Sequence, residues 1–239
     1  MFPEIRPGGV FIADAHYTDE RTGLTGLLAS LQASPPPQVF LMGDIFDLHI
    51  GPFAYLHRHN QPLIKQIEAL AAICEVWFFE GNHDFLLEGR LCGVHYVPLS
   101  AQPMIFRFGD EQVALAHGDY DEGLLHGLFT RLIRSVVGIR LIHLMTLNFL
   151  GNWFLKKEIR RLKGKKLCRN FEDFALHIGK KIKKNPPNAD IIIEGHYHQG
   201  VTFEVSGKRY VNVPGFACNQ SYSVIESGQN TVQFRVETY

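Results

Sequence analysis

Five short polar clusters in this 239-residue chain carry side chains able to hold metal ions. They are Asp14 with His16, Asp44, Asn82-His83-Asp84, His117, and His196 with His198. None contains a cysteine, so the donors are carboxylate, amide and imidazole. That mixture suits Mn, Fe or Zn better than Ca or a thiolate site. Seven of these residues (Asp14, His16, Asp44, Asn82, His117, His196 and His198) are too many for one tetrahedral ion. They suit two ions if one carboxylate bridges, and bridged pairs about 3.5–4 Å apart recur in phosphate chemistry. A bridge needs two anionic oxygens, which Asp44 supplies, while neutral imidazoles fill outer positions without cancelling the metal charge. Phosphate esters and diphosphates are anionic and repel hydroxide. Two cations lower that repulsion, orient phosphoryl oxygens and acidify water near neutral pH.

Each cluster follows an apolar run. Val10 to Ala13 ends at Asp14, Val39 to Met42 at Gly43-Asp44, and Val76 to Phe79 shortly before Asn82. Val113 to Ala116 ends at His117, and Ile191 to Ile193 just before Gly195-His196. Between the first three runs lie helical stripes: Leu24, Leu27, Leu28 and Leu31, stopped by Pro35 to Pro37, then Leu63, Ile64, Ile67, Leu70 and Ala71. This βαβαβ rhythm predicts a parallel sheet with helices packed on it. Ligand sites form beyond the carboxyl ends of such strands, so the five ends can converge. Met104 to Phe108 and Val113 to Ala116 read as a hairpin. So do Val201 to Val205 and Arg209 to Val213 around Ser206-Gly207, and Ser221 to Ile225 pairs with Val232 to Val236 in the same way.

The interval from 120 to 185 differs and reads as a helical insertion, or lid, on a single α/β domain spanning 1 to 239. Leu124, Leu125, Leu128, Phe129, Leu132, Ile133 and Val136 form a helical stripe ended by Gly138. Leu141 to Leu155 holds no Asp, Glu, Lys or Arg, yet is too short and too interrupted for a membrane span. Its apolar side chains suit either the lid's own core or a membrane surface. A last helix is expected with Asn170 and Asp173 as a capping pair and Phe171, Phe174, Ile178 and Ile182 as its apolar face. Net charge is zero, but residues 156 to 184 hold 12 of the 24 Lys and Arg residues against Glu158, Glu172 and Asp173. An anionic partner, or a solvated helix face, accounts for such a block. Cys74, Cys92, Cys168 and Cys218 form no CxxC and are expected to be reduced, buried thiols. No signal peptide is expected, and the protein is read as cytoplasmic, with a peripheral place at the inner membrane as the alternative.

Asp14-x-His16, Gly43-Asp44-x-x-Asp47, Gly81-Asn82-His83-Asp84, His117-Gly118 and Gly195-His196-Tyr197-His198 stand in the order of the calcineurin-like metallophosphoesterase motifs, which they resemble. The resemblance implies an α/β fold in four layers, αββα, with two β-sheets flanked by helices. It implies that Asp14, His16, Asp44 and His198 hold one metal ion, and Asp44, Asn82, His117 and His196 the other. Mn²⁺ is the expected metal, with Fe or Zn as alternatives. His83 would act at the scissile phosphate as general acid or phosphate donor, with Asp84 hydrogen-bonded to its ring. Asp47 and Asp119 would orient ligands or cap backbone. The remaining histidines (His49, His57, His59, His95, His126, His143, His177) are read as surface or core residues.

Within that superfamily the text resembles the UDP-2,3-diacylglucosamine pyrophosphatases of lipid A synthesis. FIADAH resembles their F-x-S-D-x-H, LMGDIFDLHIG their GD-x-F-[DE]-x-W-x-G, and a basic, apolar insertion follows HGD. The chain departs from them with His83 in place of Arg and with Gln199-Gly200 after the last motif. Asn170 is the plausible counterpart of a substrate-contacting lid residue, beside Asn82 and His83. The resemblance implies a diphosphate hydrolase for an acylated, lipid-linked substrate, a chemistry that suits an anionic bilayer surface. The alternative is a general phosphodiesterase or phosphomonoesterase for a soluble substrate. A non-catalytic scaffold would have lost ligands that are all present here. No nucleic-acid partner is expected, because the Leu- and Phe-rich stretch fits acyl chains better than bases.

Overall fold

The computed structural model describes residues 2–121, 135, 138, 149–227 and 232–239. The stripe of 124–136 and the run 141–148 lie outside those residues, apart from Ser135. Strand β1 (Val10–Ile12) leads through α1 (Gly23–Ala33) to β2 (Gln38–Leu41). Then come β3 (His49–Ile50), α2 (Ala54–Ala71), β4 (Glu75–Phe79), β5 (Asp84–Phe85) and β6 (His95–Val97). The hairpin β7 (Met104–Phe108) and β8 (Glu111–Ala116) precedes helices α3 (Phe149–Lys163) and α4 (Phe174–Lys184). Strands β9 (Ile191–Glu194), β10 (Thr202–Val205) and β11 (Lys208–Asn212) follow, then α5 (Phe216–Asn219), β12 (Ser221–Ser227) and β13 (Val232–Thr238).

One sheet runs β13-β12-β1-β2-β4-β6, a second runs β10-β11-β9-β8-β7, and β3 pairs with β5 alone. β1, β2, β4 and β6 are parallel, as are β8, β9 and β11, while β12, β13, β7 and β10 pair antiparallel. The layering follows from period-two alternation. Val10, Ile12, Val39, Leu41, Val76 and Phe78 meet the apolar stripes of α1 and α2. Phe11, Ala13, Phe40, Met42 and Phe79 point the other way, against Phe106, Val113, Leu115, Ile191 and Ile193 of the second sheet. Phe11 stacks on Phe40 at 4.5 Å, and Phe106 meets Phe40 edge-on at 5.7 Å across the sheets. Ala114, Ile192 and Tyr210 face outward to Phe174, Ile178 and Ile182 of α4. A strand such as Ile191-Ile192-Ile193, buried on both faces, requires a helix on its outer side. The result is the four-layer αββα arrangement.

Four local expectations change. Helix α2 begins at Ala54, nine residues before its apolar stripe was expected, and contains Pro62. Asn60 hides the continuation of that stripe: it is buried and donates to the Leu48 carbonyl at 3.0 Å. Asn170 does not cap α4. The helix starts at Phe174, with Asp173 as N-cap in a left-handed conformation (φ 55°) and no side-chain cap bond. Phe171 precedes the helix and its N–H donates to Gln199 Oε1 at 3.0 Å. The cysteines are not all reduced and buried. Cys168 and Cys218 form a disulfide, Cys74 is half-buried and Cys92 exposed. Tertiary contact brings that pair together across 50 residues, with no local motif to announce it.

In α3, Leu155 and Ile159 pack against Ile50, Phe53, Leu56 and Phe85, while Trp153 is exposed. Among the described residues no helix is long and apolar enough to cross a membrane.

His49 is fully buried, edge-on to Phe46 at 4.7 Å, and neither ring nitrogen has a hydrogen bond among the described residues. Burial, with His57 and Arg90 nearby, pushes its pKa down to about 3. The unfolded chain protonates this ring near the ordinary value of 6.5, and the folded chain resists until about pH 3. The neutral ring's stability is therefore complete above pH ~6.5 and lost as pH falls toward 3, by up to about 1.4 kcal/mol per pH unit. Denaturant unfolding at pH 7, 5.5 and 4.5 should show a shallower acid loss for His49→Phe than for the parent. Parallel curves would contradict this.

Candidate metal centre

The carboxyl ends of β1, β2 and β4 and of β8 and β9 meet at one edge of the two sheets. All seven candidate ligands lie there. Asp44 is central: its Oδ2 is 3.8 Å from His16 Nε2 and its Oδ1 3.6 Å from His117 Nε2. His117 Nε2 is 3.3 Å from Asn82 Oδ1 and 3.2 Å from His196 Nδ1. On the other side, His198 Nε2 is 3.2 Å from Asp14 Oδ1. Donor atoms of Asp14, His16 and His198 lie within 4.8 Å of one another, as do those of Asp44, His117 and His196. These are two ligand nests, and Asp44 of the second lies 3.8 Å from His16 of the first. His16, Asp47 and His83 form a third grouping that shares His16, but there Arg21 Nη2 donates to Asp47 Oδ1 at 2.6 Å.

The backbone is bent sharply to do this. Asp14, His16, Asp44, His196 and His198 all have positive φ, between 42° and 63°. Such conformations cost about 1–3 kcal/mol each and persist where the surroundings over-determine them. Two glycines make the approach possible. A Cβ on Gly43 (φ +85°) would lie 2.5 Å from His117 Nδ1, and one on Gly81 would lie 2.4 Å from Asp44 Oδ1. Backbone donors fix the carboxylates: His196 N–H donates to Asp14 Oδ2 and His83 N–H to Asp44 Oδ1, both at 2.8 Å.

Asp84 does not bond the His83 ring. Its carboxylate accepts the N–H groups of Asp44 (3.0 Å), Ile45 (2.6 Å), Phe46 (3.1 Å) and Gly81 (3.1 Å). It is the internal brace of the Asp44 loop. The His83 ring instead donates from Nδ1 to the Asp47 carbonyl at 2.7 Å and lines the pocket.

The donor set fits divalent ions. The His117 ring donates from Nδ1 to the Met42 carbonyl at 2.8 Å, which leaves the Nε2 lone pair facing Asp44 and Asn82. Asp14 Oδ1 and His16 Nδ1 are buried without a hydrogen bond of good geometry among the described residues. Burial disfavours charge on Asp44, but His117, His83 and His16 hold its pKa below the usual carboxylate range. Burial likewise disfavours charge on His117, yet Asp44, Asp119 and Asp14 push its pKa up to about 9. The carboxylates call for positive charge at this point, from protons or from metal ions.

Above the ligands is a cavity of about 360 Å³, floored by His16, Asp44, Asn82, His83, His196 and His198. One wall is the strap before α4, with Lys165, Lys166, Arg169 and Asn170. Asn170 is thus at the pocket. The lysines and Arg169 were not singled out in the sequence, although the basic block from 156 to 184 was their signal. Cys168 ties the strap to Cys218, whose Sγ is 3.8 Å from His198 Nδ1.

A scan against protein-family models finds no match. The chain is 28% identical over 240 residues to a UDP-2,3-diacylglucosamine hydrolase of Blochmanniella pennsylvanica, covering 91% of this chain and 90% of that protein. It is 25% identical over 201 residues to the protein of that name from Coxiella burnetii, covering 80% of each. A dimetal phosphatase from Danio rerio superposes with a TM-score of 0.47 and 12% identity, over 96% of this chain and 95% of that one. That last likeness is too distant to bear on the reaction. Five ordered ligand motifs meet at one sheet edge, and the similarity to these hydrolases runs along nine-tenths of the chain; both support a calcineurin-like metallophosphoesterase superfamily.

Proposed function

We propose that this chain is a dinuclear metal-dependent hydrolase that splits the diphosphate bond of a lipid-linked, UDP-diacylglucosamine-like substrate. The observation that carries the reading is the pair of adjoining ligand nests, Asp14-His16-His198 and Asp44-His117-His196, with Asp44 3.8 Å from His16, at the floor of a cavity with a basic wall. In this reading Asp14, His16, Asp44 and His198 hold one ion, and Asp44, Asn82, His117 and His196 hold the other. Mn²⁺ suits the imidazole and carboxylate set, with Fe or Zn as alternatives. When bound, the two ions neutralise phosphoryl charge and acidify water for attack.

The chain's own residues supply the rest. His83, held through Nδ1 on the Asp47 carbonyl, turns its other edge to the pocket and donates to the leaving phosphate. Asp84 holds the Asp44 loop rigid through four N–H bonds and so acts indirectly. Lys165, Lys166 and Arg169 face the second phosphate, and Asn170 contributes a polar contact beside them. Residues 120–185 serve as a lid whose apolar part receives acyl chains. Lys156, Lys157, Arg160 and Arg161 are exposed on α3 beside exposed Trp153, a face suited to an anionic bilayer. The protein is then cytoplasmic and peripheral at the inner membrane. The names of the two relatives support the diphosphate substrate.

A second reading, a general phosphodiesterase or phosphomonoesterase, rests on His83, which stands where the resemblance to the lipid A subgroup implies Arg. Purified protein with Mn²⁺ should release the uridine monophosphate from UDP-2,3-diacylglucosamine, and Asp44→Ala or His117→Ala should lower the rate to background. Retained activity in either variant would sink the two-metal reading. The deacylated UDP-glucosamine should turn over at least about tenfold more slowly, since remote binding energy is used in the transition state. Cleavage of bis-p-nitrophenyl phosphate with none of any UDP-sugar would favour the second reading.

A further inference from the structure

Lys181 is an unusual residue to find inside α4. The side chain is 5% exposed on a helix face otherwise made of Phe174, Ile178 and Ile182. A buried ammonium is costly unless paired and hydrogen-bonded, and an apolar residue of similar size is often as stabilising at such a position. Stability alone gives no reason for it.

Its contacts do. Nζ donates to the Gly118 carbonyl at 2.6 Å and to both oxygens of Glu194, at 3.0 and 2.8 Å. Glu194 is 1% exposed and also accepts from Tyr120 (2.7 Å) and Tyr210 (2.9 Å) hydroxyls. Lys181 further sits 4.3 Å over the Tyr120 ring. Gly118 directly follows His117, and Glu194 lies two residues before His196. The two loops touch: a Cβ on Gly118 would lie 3.1 Å from the His196 Cβ. Their imidazoles meet at 3.2 Å, His117 Nε2 to His196 Nδ1. One ammonium thus clamps both loops from below. The clamp belongs to α4, the helix that follows the pocket's basic strap.

We propose that Lys181, through Gly118 and Glu194, is a positioning residue for the ion held by Asp44, Asn82, His117 and His196. It sets the spacing of the two imidazoles and links the strap segment most directly to that ion. Asp14, His16 and His198 take no contact from it. The inference rests on the two-metal reading above.

Calorimetric titration of metal-free protein with Mn²⁺ tests it. The parent should bind two ions per chain. Lys181→Met should keep one ion within about threefold of the parent Kd and bind the other at least about tenfold more weakly, the usual loss when a ligand's outer partner is removed. Lys181→Arg, which keeps the cation, should recover most of the difference. A loss of stability without repositioning would weaken both ions alike or neither. Should Lys181→Met fail to fold by circular dichroism, Tyr210→Phe removes one hydrogen bond from Glu194 and should weaken the same single ion. Two ions of parental affinity in Lys181→Met, or in Tyr210→Phe where that variant decides, overturn the positioning role. Fewer than two ions in the parent overturn the two-metal reading instead.

Discussion

The Asp44 side chain is 4% exposed, at the meeting point of two sheets, and its carboxylate cannot stay there uncompensated. Stripping a carboxylate of water costs several kcal/mol even after the protein relaxes. The surroundings answer that cost in two ways. His83 donates its backbone N–H to one oxygen, and the imidazoles of His16 and His117 stand within 4 Å of the carboxylate. The Asp44 backbone is in turn held by Asp84, which takes the N–H groups of Asp44, Ile45 and Phe46 in a single carboxylate. Gly43 and Gly81 are small because His117 and Asp44 pass directly over them. Each of these features is arranged around that one carboxylate.

The layers exist to bring that group and its partners to one edge. Parallel strands present their carboxyl ends together, which hairpins alone would not do. β1, β2 and β4 do this in one sheet and β8 and β9 in the other, so two sheets packed face to face deliver donors from both sides. The aromatic contacts among Phe11, Phe40 and Phe106 fix the sheets against each other. Helices on both outer faces then follow from strands that are apolar on both faces. On the second sheet, α4 covers Ala114, Ile192 and Tyr210 and carries Lys181 to the underside of the ligand loops.

Much of this was legible in the sequence, because period-two alternation and strand-end polar residues are local signals. The βαβαβ order, the hairpins and the convergence of Asp14, Asp44, Asn82, His117 and His196 all follow from runs of three to five residues. What escaped depends on distant partners. Asp84 looks like a companion of its neighbour His83, but its carboxylate reaches residues 38 to 40 positions earlier. Cys168 and Cys218 meet through the fold, and a cytoplasmic setting made reduced thiols the natural expectation. Asn60 and Pro62 masked the first half of α2, and Asn170 resembled a cap because its spacing to Asp173 is that of one. Lys181 and Glu194 carried a weak signal: a charge inside an apolar helical stripe, and an acid at the end of an all-isoleucine strand.

The central claim is that Asp44 is shared by two ions. Anomalous diffraction from crystals grown with Mn²⁺ addresses it directly. Two peaks about 3.5–4 Å apart, with the Asp44 carboxylate between them, are the expected result. A single peak, or a pair that leaves Asp44 on one ion only, would contradict the account.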